Sequence, residues 1–217
     1  LASRAREIDR DKATDFHAGA PKDGGTVYLT ACDASGMMVS FIQSNYLGFG
    51  SGVVIPGTGI AMQNRGLGFS LDPEHPNCVA PGKRPFHTII PAFMGSNGVP
   101  DTAFGLMGGG MQPQGHVQIV VNLVDFGMDL QEAGDAARFH HTDSSEPTGT
   151  IMTDGGVLHL ESGVSAEIKR ELVRRGHRIQ EITPVVFGGY QAIRRNPETG
   201  VYAGATESRK DGMAAGY

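Results

Sequence analysis

A pair of β-rich runs separated by a four-residue turn places the strongest constraint on how this chain folds. Residues 26–32 and 37–44 are rich in β-branched and aromatic side chains, and residues 33–36 (Asp-Ala-Ser-Gly) have the composition of a tight turn. Strands joined by so short a connection pair in antiparallel fashion. The sequence therefore predicts a β-hairpin near its beginning.

The other periodic segments form a group of strands, a group of helices and a final mixed group. Strands are predicted at residues 59–64, 102–107, 178–183, 190–195 and 201–206, and helices at residues 116–126, 130–139 and 165–175. Residues 66–88 contain four prolines and are predicted to form a long loop. Because strands and helices are segregated, the pattern favours an α+β fold with antiparallel sheets over a wound α/β sheet.

Composition argues against several classes of protein. The 217 residues carry a formal net charge of −5 and no cluster of lysine and arginine, which argues against a nucleic-acid-binding surface. No apolar run approaches the roughly 20 residues that a membrane-spanning helix needs. With only Cys32 and Cys78, a disulfide framework is excluded, although a single bridge stays open.

Glycine is the unusual component, with 32 residues that occur in short clusters rather than in one linker. Such clusters suit tight turns and places where the backbone lies close to a ligand. Gly108, Gly109 and Gly110 follow a predicted strand directly. Taken alone, this run is best explained as a turn between a strand and a helix.

The junction between Gly25 and Thr26 is the candidate for chemistry. The simplest interpretation of Thr26 is that it is a strand-forming residue that follows a glycine-rich loop. A threonine hydroxyl becomes a nucleophile only when a base removes its proton, and a threonine at a chain terminus supplies its own α-amine, with a pKa of about 8. Such a terminus is made by cutting a precursor, and Gly25 has no side chain to shield its carbonyl from attack.

Six blocks of the sequence resemble, in order, the small subunit of the γ-glutamyltransferases. They are GGTVYLTACDASGMMVS, NYLGFGSGVVIPGTGIAMQN, PGKRPFHTIIP, GLMGGG, VVNLVDFGMDLQEAGDAARFHH and YAGATESRKDGMAAGY. The resemblance implies an N-terminal-nucleophile hydrolase with an αββα sandwich, made from a precursor that cleaves itself between Gly25 and Thr26. It implies that residues 26–217 are the small-subunit domain and that residues 1–25 are a linker or the C-terminal tail of the large subunit.

The resemblance also implies roles for individual residues. Thr26 matches the nucleophile, and Ser44 matches a hydroxyl residue that hydrogen-bonds it. Gly108 and Gly109 match a glycine pair whose backbone N–H groups bind the oxyanion. The implied partners are the large subunit of the same precursor, a small amide substrate, and an amine or water acceptor, with no metal or organic cofactor. The sequence leaves open the compartment and whether the protein forms a homo-oligomer.

The positions expected to bind the acyl donor depart from the family. Asn64 and Arg65 stand where family members have an aspartate that holds the donor's α-amino group. His87 and Thr88 replace a serine pair that binds its α-carboxylate, and Tyr46 replaces an asparagine. An ammonium group without a partner in a closed pocket costs on the order of a few kcal/mol. We therefore expect Arg65 and His87 to bind a donor carboxylate on an acyl group that lacks the amine, although a surface role explains either residue equally well.

The predicted function is an autoprocessing amidohydrolase or acyltransferase that acts on γ-glutamyl or related acyl amides through an acyl-enzyme. One alternative is an acylase of the glutaryl-cephalosporin type. A second alternative is a catalytically silent precursor or fragment of this fold that serves as an assembly module. In every case, a large subunit would complete the sandwich, so we expect exposed apolar surface or self-association where it is missing.

No metal site is predicted. His140 and His141 are adjacent, and neither a cysteine nor a carboxylate stands at ligand spacing from them. We expect both to be structural residues at the end of a helix.

Overall fold

The computed structural model of the chain describes residues 25–143, 153–181 and 187–217. Within these ranges the elements are β1 Thr26–Cys32, β2 Met38–Ser44, β3 Ala92–Ser96, β4 Val99–Met107, α1 Met111–Val124, α2 Leu130–Asp135, β5 Phe139–Thr142, β6 Val157–Leu160, α3 Ala166–Arg174, β7 Ile179–Glu181, β8 Gly189–Arg195 and β9 Tyr202–Thr206. A short 3-10 helix, Arg65–Gly68, lies between β2 and β3. The architecture confirms the α+β fold class.

The central sheet has the strand order β3-β4-β8-β9 and is antiparallel throughout. One face of β4 packs against α1. The Phe104 ring lies 5.6 Å from the His116 ring, and Leu106 fills the space beside Gly115, where a Cβ would lie 2.7 Å from the leucine methyl groups. Phe104 and Leu106 are buried in the main apolar core together with residues of α1 and α2. The two helices therefore form a layer on this face.

The hairpin of β1 and β2 covers the opposite face of β4. The Tyr28 ring lies directly over Gly105, where a Cβ would come within 2.4 Å of the ring carbons. The Tyr28 hydroxyl shares a hydrogen bond of 2.7 Å with Ser40 on β2. Because side chains alternate along a strand, Gly105 faces the hairpin while its neighbours face the helices. The result is a layer of helices, a central sheet and a second layer of strands.

The hairpin has a defined direction relative to the central sheet. At its turn, Asp33 accepts a hydrogen bond of 2.8 Å through its backbone oxygen from the Tyr202 hydroxyl, and Gly36 packs against the Arg195 guanidinium. Arg195 lies at the end of β8 that pairs with the beginning of β4. The seven-residue strand β1 therefore starts near the opposite end of β4, where Met107 leads into the glycine run.

A cluster of buried charges joins the central sheet to the second sheet, which has the order β5-β6-β7. Arg138 is 1% exposed and lies 3.4 Å from the Glu207 carboxylate, and it also donates to the backbone oxygens of Gly134 and Phe187. Arg209 donates to Glu207 at 2.9 Å. The cluster continues because Arg209 also pairs with the Glu161 carboxylate at 2.5 Å. Its two cations therefore face two anions.

Several predicted elements are confirmed with small changes in their bounds. The hairpin, β4, β8, β9 and α3 lie where the sequence predicted them, and Ser165 caps α3 by accepting a hydrogen bond from the Ile168 amide. The predicted strand at 178–183 is present as Ile179–Glu181, and residues 182 and 183 lie outside the described part of the chain. The two free cysteines, Cys32 and Cys78, form no bridge.

Other predictions are wrong. Residues 59–64 form no regular strand. An isolated bridge joins Val54 to Ala61, and backbone hydrogen bonds join residues 51–55 to residues 60–62. Helix α1 starts at Met111 rather than His116, since Pro113 is tolerated in a first helical turn. The helix predicted at 130–139 ends at Asp135.

Three further strands differ from the prediction or were not predicted. Strands β3 and β6 were not predicted, and Phe139, the first residue of β5, was assigned to a helix. His140 and His141 lie on β5 and not at a helix end, so their side chains point to opposite faces of a sheet. Among the described residues, no group of histidine, cysteine or carboxylate side chains is arranged to hold a metal ion. No helix in this part of the chain is both long and apolar enough to cross a membrane.

Candidate active site

The hydroxyl groups of Thr26 and Ser44 meet at the open end of the hairpin. The antiparallel register pairs Thr26, the first residue of β1, with Ser44, the last residue of β2. Thr26 Oγ1 donates a hydrogen bond of 2.8 Å to Ser44 Oγ, which also accepts one of 3.0 Å from the Tyr46 backbone N–H. Both hydroxyl residues are half-buried. The hairpin register thus brings together the two residues that were predicted to meet.

The peptide carbonyl that precedes Thr26 is also held in place. The Gly25 oxygen accepts a hydrogen bond of 3.2 Å from the Asn45 backbone N–H. A Cβ at Gly25 would lie 3.0 Å from the Tyr46 backbone oxygen, so a side chain there would crowd the loop that follows β2. An open cavity of about 340 Å³ adjoins this junction and is lined by Gly25, Thr26, Val27, Gln43, Asn45, Gly48 and Phe49.

The glycine run after β4 lies toward the same end of the molecule as Thr26. Gly108 and Gly109 have φ angles of 147° and 58°, which side chains disfavour, and a Cβ at Gly108 would lie 2.8 Å from the Gly188 Cα. Their carbonyl groups accept hydrogen bonds from the first turn of α1. Neither of their own N–H groups donates a hydrogen bond to any residue in the described ranges. Both N–H groups thus have no partner among the described residues.

Arg65 packs against Tyr46, the residue two positions after Ser44. It is 8% exposed, and its guanidinium carbon lies 5.3 Å from the centre of the Tyr46 ring. Nη1 is buried and has no hydrogen-bond partner, and no carboxylate of the described chain forms an ion pair with this side chain. Burial lowers the pKa of Arg65 from its ordinary value.

Asn64 braces the loop that carries Tyr46. Its side-chain oxygen accepts from the Leu47 N–H at 3.0 Å, and its side-chain nitrogen donates to the Gly50 oxygen at 3.1 Å. Its backbone N–H also donates to the Asn45 oxygen. Both ends of the Asn64 amide are thus engaged within the protein, which favours a structural function over the predicted contact with substrate.

The last two candidate residues are His87 and Thr88. His87 is exposed, and no hydrogen bond within the described ranges connects either residue to Thr26 or Ser44. The chain just before them passes close to the 3-10 helix, because a Cβ at Gly68 would lie 2.8 Å from the Phe86 oxygen. The expected binding of substrate by His87 and Thr88 stays a prediction.

Two features of the site were not found from the sequence. The first is the Asn45 N–H on the Gly25 oxygen, which no residue type encodes because it is a backbone contact. The second is the stacking of Arg65 on Tyr46, which depends on a φ of 74° at Tyr46. A positive φ at a tyrosine has no signal in the sequence.

A sheet covered by helices on one face and by strands on the other, with a threonine at the start of the hairpin, is the arrangement of the N-terminal-nucleophile hydrolases. Comparison with known proteins agrees with this class. All 217 residues, 1–217, match the Gamma-glutamyltranspeptidase family, and the chain belongs to that family.

Its relatives include proteins with different names. It is 39% identical over 223 residues to an oxamate amidohydrolase proenzyme of Klebsiella pneumoniae, a match that covers 100% of this chain and 40% of the relative. It is 36% identical over 201 residues to a glutathione hydrolase-like proenzyme of Bacillus subtilis, covering 90% of this chain and 36% of that protein. The crystal structure of a cephalosporin acylase from Bacillus halodurans is 52% identical, with a TM-score of 0.77 over 88% of this chain and 34% of that one. The chain thus spans two fifths or less of the length of these proteins.

Proposed function

We propose that the protein is an autoprocessing amidohydrolase or acyltransferase whose nucleophile is the hydroxyl of Thr26. The observation that carries the proposal is the hydrogen bond of 2.8 Å between Thr26 Oγ1 and Ser44 Oγ at the start of a strand. The description of three relatives or neighbours as proenzymes or an acylase supports it. In this proposal residues 26–217 form the small-subunit domain, and residues 1–25 are a linker or the end of a large subunit.

Self-cleavage comes first in the proposed sequence. Thr26 Oγ attacks the Gly25 carbonyl carbon, the peptide C–N bond breaks, and the proton from the hydroxyl ends on the released Thr26 amine. Water then hydrolyses the resulting ester. The Asn45 N–H, already on the Gly25 oxygen, stabilises the negative charge that develops there during attack.

Turnover uses the same hydroxyl with a new base. The freed α-amine of Thr26, with an ordinary pKa of about 8, takes the proton as Oγ attacks the amide carbonyl of the donor. The N–H groups of Gly108 and Gly109 stabilise the oxyanion, and the donor's amine leaves with the proton. Water or an acceptor amine then releases the acyl group. Ser44 and the Tyr46 N–H hold the nucleophile in position.

A large subunit of the same precursor is the proposed partner. The outer face of the hairpin is apolar and exposed, with Val27 at 55% and Phe41 at 47%, and Leu29 and Val39 lie beside them. In the described part of the chain, β1 and β2 pair only with each other, so both of their outer edges are open. Strands added to these edges and helices laid on this face would complete an αββα sandwich.

The proposal is tested with the full-length precursor and its Thr26→Ala and Thr26→Ser variants. We expect Thr26→Ala to remain one polypeptide and to lose turnover by at least about a thousandfold, since an activated nucleophile is absent. Thr26→Ser keeps a hydroxyl and should still cleave. Mass spectrometry and an assay with γ-glutamyl, glutaryl and butyryl anilides measure both events. If Thr26→Ala still cuts at Gly25, or if the wild type neither cleaves nor acts on any anilide, the molecule is a silent module and the proposal is wrong.

An acylase that acts on acyl groups without an α-amine is the second candidate. It is favoured by the 52% identity to the cephalosporin acylase and by the lack of a carboxylate among the described residues that line the cavity at Thr26. The relative rates of the glutaryl and γ-glutamyl anilides separate the two donor classes.

A further inference from the structure

The loop that follows β2 contacts two groups that self-cleavage would use. The Asn45 backbone N–H donates a hydrogen bond of 3.2 Å to the Gly25 oxygen, which belongs to the peptide bond to be cut. The Tyr46 backbone N–H donates one of 3.0 Å to Ser44 Oγ, which also accepts the 2.8 Å bond from Thr26 Oγ1. The position of this loop therefore affects how the hydroxyl lies relative to the carbonyl that it would attack.

The loop has a backbone conformation that its surroundings must enforce. Tyr46 has a φ of 74°, a value that a residue with a side chain rarely adopts and that persists where neighbouring contacts hold it. Its carbonyl oxygen is also close to the scissile peptide, since a Cβ at Gly25 would lie 3.0 Å from it. A return to negative φ would reorient the peptide groups on either side of Tyr46, and one of them carries the N–H that reaches Ser44.

Two consecutive residues of another segment hold the loop. The Asn64 backbone N–H donates to the Asn45 oxygen at 3.2 Å, and the Asn64 side-chain oxygen accepts from the Leu47 N–H at 3.0 Å. Between these two contacts, the Arg65 guanidinium carbon lies 5.3 Å from the centre of the Tyr46 ring. Three successive residues of the loop are thus each held by Asn64 or Arg65.

The Tyr46 ring is the partner that the structure gives to the charge of Arg65. This arginine is 8% exposed, and within the described ranges its Nη1 has no hydrogen-bond partner and no carboxylate forms an ion pair with it. A guanidinium is attracted to the face of an aromatic ring, more strongly where water is excluded. Moving the ring would leave the buried cation without this contact. The burial of Arg65 therefore favours the observed position of Tyr46.

We propose that Asn64 and Arg65 form a clamp on the loop, and that Arg65, acting through the Tyr46 ring, is a positioning residue for self-cleavage at Gly25. This inference rests on the proposed function, because it concerns the same nucleophile. It gives Arg65 a contact within the protein in place of the expected contact with the acyl donor.

The clamp should matter more for self-cleavage than for turnover. Self-cleavage uses both contacts of the loop, the one to the Gly25 oxygen and the one to Ser44 Oγ. In turnover the carbonyl under attack belongs to the donor, so only the contact to Ser44 remains in use. Loss of the clamp should therefore slow the first reaction more than the second.

The test measures the rate of self-cleavage of the full-length precursor, by mass spectrometry over time, in paired variants. Tyr46→Phe keeps the aromatic ring and should cleave within about twofold of the wild type. Tyr46→Leu keeps the backbone N–H but lacks the aromatic face, and we expect it to cleave at least about tenfold more slowly, since misplaced reacting groups lose rate steeply. Arg65→Met should slow cleavage to a similar degree. Arg65→Lys should restore part of the rate, because a cation remains over the ring.

A double variant separates one shared contact from two independent defects. Arg65→Met and Tyr46→Leu remove the same contact, so the protein with both changes should cleave within about threefold of the slower single variant. Losses that multiply would mean that the two side chains act separately, and the inference would be wrong. Arg84→Met is the matched control, because Arg84 is exposed and loses an identical charge outside the clamp. We expect it to cleave at the wild-type rate.

Turnover by the processed protein gives a second readout. We expect Arg65→Met to leave KM for both glutaryl and butyryl anilides within about threefold, and to lower kcat by a smaller factor than the self-cleavage rate. A rise in KM for glutaryl anilide alone would mean that Arg65 holds the donor's carboxylate, which contradicts the inference. If Arg65→Met fails to fold, the comparison of Tyr46→Phe with Tyr46→Leu still decides, since Tyr46 is 37% exposed and tolerates substitution more readily.

The failures of the two proposals are distinguishable. A wild-type precursor that does not cleave, or a Thr26→Ala variant that does, would overturn the Thr26 mechanism and the clamp with it. If the wild type cleaves and Thr26→Ala does not, the mechanism stands. Cleavage of Tyr46→Leu and Arg65→Met at the wild-type rate would then refute the clamp alone.

Discussion

Arg138 and Arg65 are both buried, but among the described residues only Arg138 has a carboxylate partner. Arg138 lies where the central sheet meets the second sheet, and its guanidinium contacts Glu207 and two backbone oxygens. Arg65 lies beside the hairpin, stacks on Tyr46 and has no counter-charge within the described ranges. The first region pairs each of its charges with an opposite charge, although Arg138 Nε and Glu207 Oε1 have no hydrogen-bond partner among the described residues. The second region contains a cation without such a counter-charge in that part of the chain. Buried charge is therefore paired within the fold at one place and has no counter-charge among the described residues at the other.

The apolar surfaces of the two regions differ in the same way. Around the central sheet, Phe104, Leu106 and Ile119 are buried between strands and helices. On the hairpin, Val27 and Phe41 remain half-exposed on a face without a covering layer in the described chain. The open region holds the proposed nucleophile, since a substrate and a partner subunit both need access there. The closed region provides the rigid sheet on which the hairpin rests.

The largest expected effect is a difference in the free energy of unfolding between variants of the two arginines. Arg138→Met removes one partner from a buried charge cluster, and breaking such a cluster costs about 3–5 kcal/mol in the free energy of unfolding. Arg65→Met removes a buried cation that has no partner, so we expect a change of less than about 1 kcal/mol, or a gain. Urea unfolding of the processed protein measures both.

Arg84→Met, an exposed arginine, is the control for loss of charge, and we expect no change there. The comparison between the two regions fails if Arg65→Met destabilises the protein as much as Arg138→Met. That result would mean that a residue outside the described ranges already pairs with Arg65.

An intermediate effect is expected where the two regions touch. Gly105 lies under the Tyr28 ring, so Gly105→Ala places a methyl group 2.4 Å from ring carbons that cannot move without lifting the hairpin. Overpacking of this kind costs about 1–3 kcal/mol. Gly66→Ala is the matched control, because a Cβ there meets nothing within 4 Å and its φ is ordinary. Thermal unfolding of both variants measures the difference, and equal melting temperatures would show that the hairpin is not firmly seated on the sheet.

Features that depend on neighbouring residues could be predicted from the sequence, whereas features that depend on contacts between distant segments could not. The hairpin was predictable because its signals are local, an alternating pattern and a turn of Asp-Ala-Ser-Gly, and the pairing of Thr26 with Ser44 follows from its register. Helix α1 was predicted to start at His116 instead of Met111. Its first turns include Gly115, whose place in the helix depends on a close contact with Leu106 on a distant strand. The isolation of Arg65 was invisible for the same reason. Whether a charge has a partner depends on what the fold brings near it.

The smallest expected effect concerns the hydrogen bond that ties the hairpin strands together over the sheet. Tyr28→Phe keeps the ring on Gly105 and removes the hydroxyl bonded to Ser40, which should cost about 0.5–1.5 kcal/mol. Burial raises the pKa of Tyr28, so the folded protein keeps this hydroxyl neutral at a pH where the unfolded chain already ionises. Wild-type stability should therefore fall as pH rises above about 10, and Tyr28→Phe should lack this one contribution. Unfolding free energies of both proteins at pH 8 and above pH 10 measure the effect. If the difference between the two proteins does not shrink in alkali, the hydroxyl is in contact with water, and the hairpin is less closed over the sheet than the Tyr28–Gly105 contact indicates.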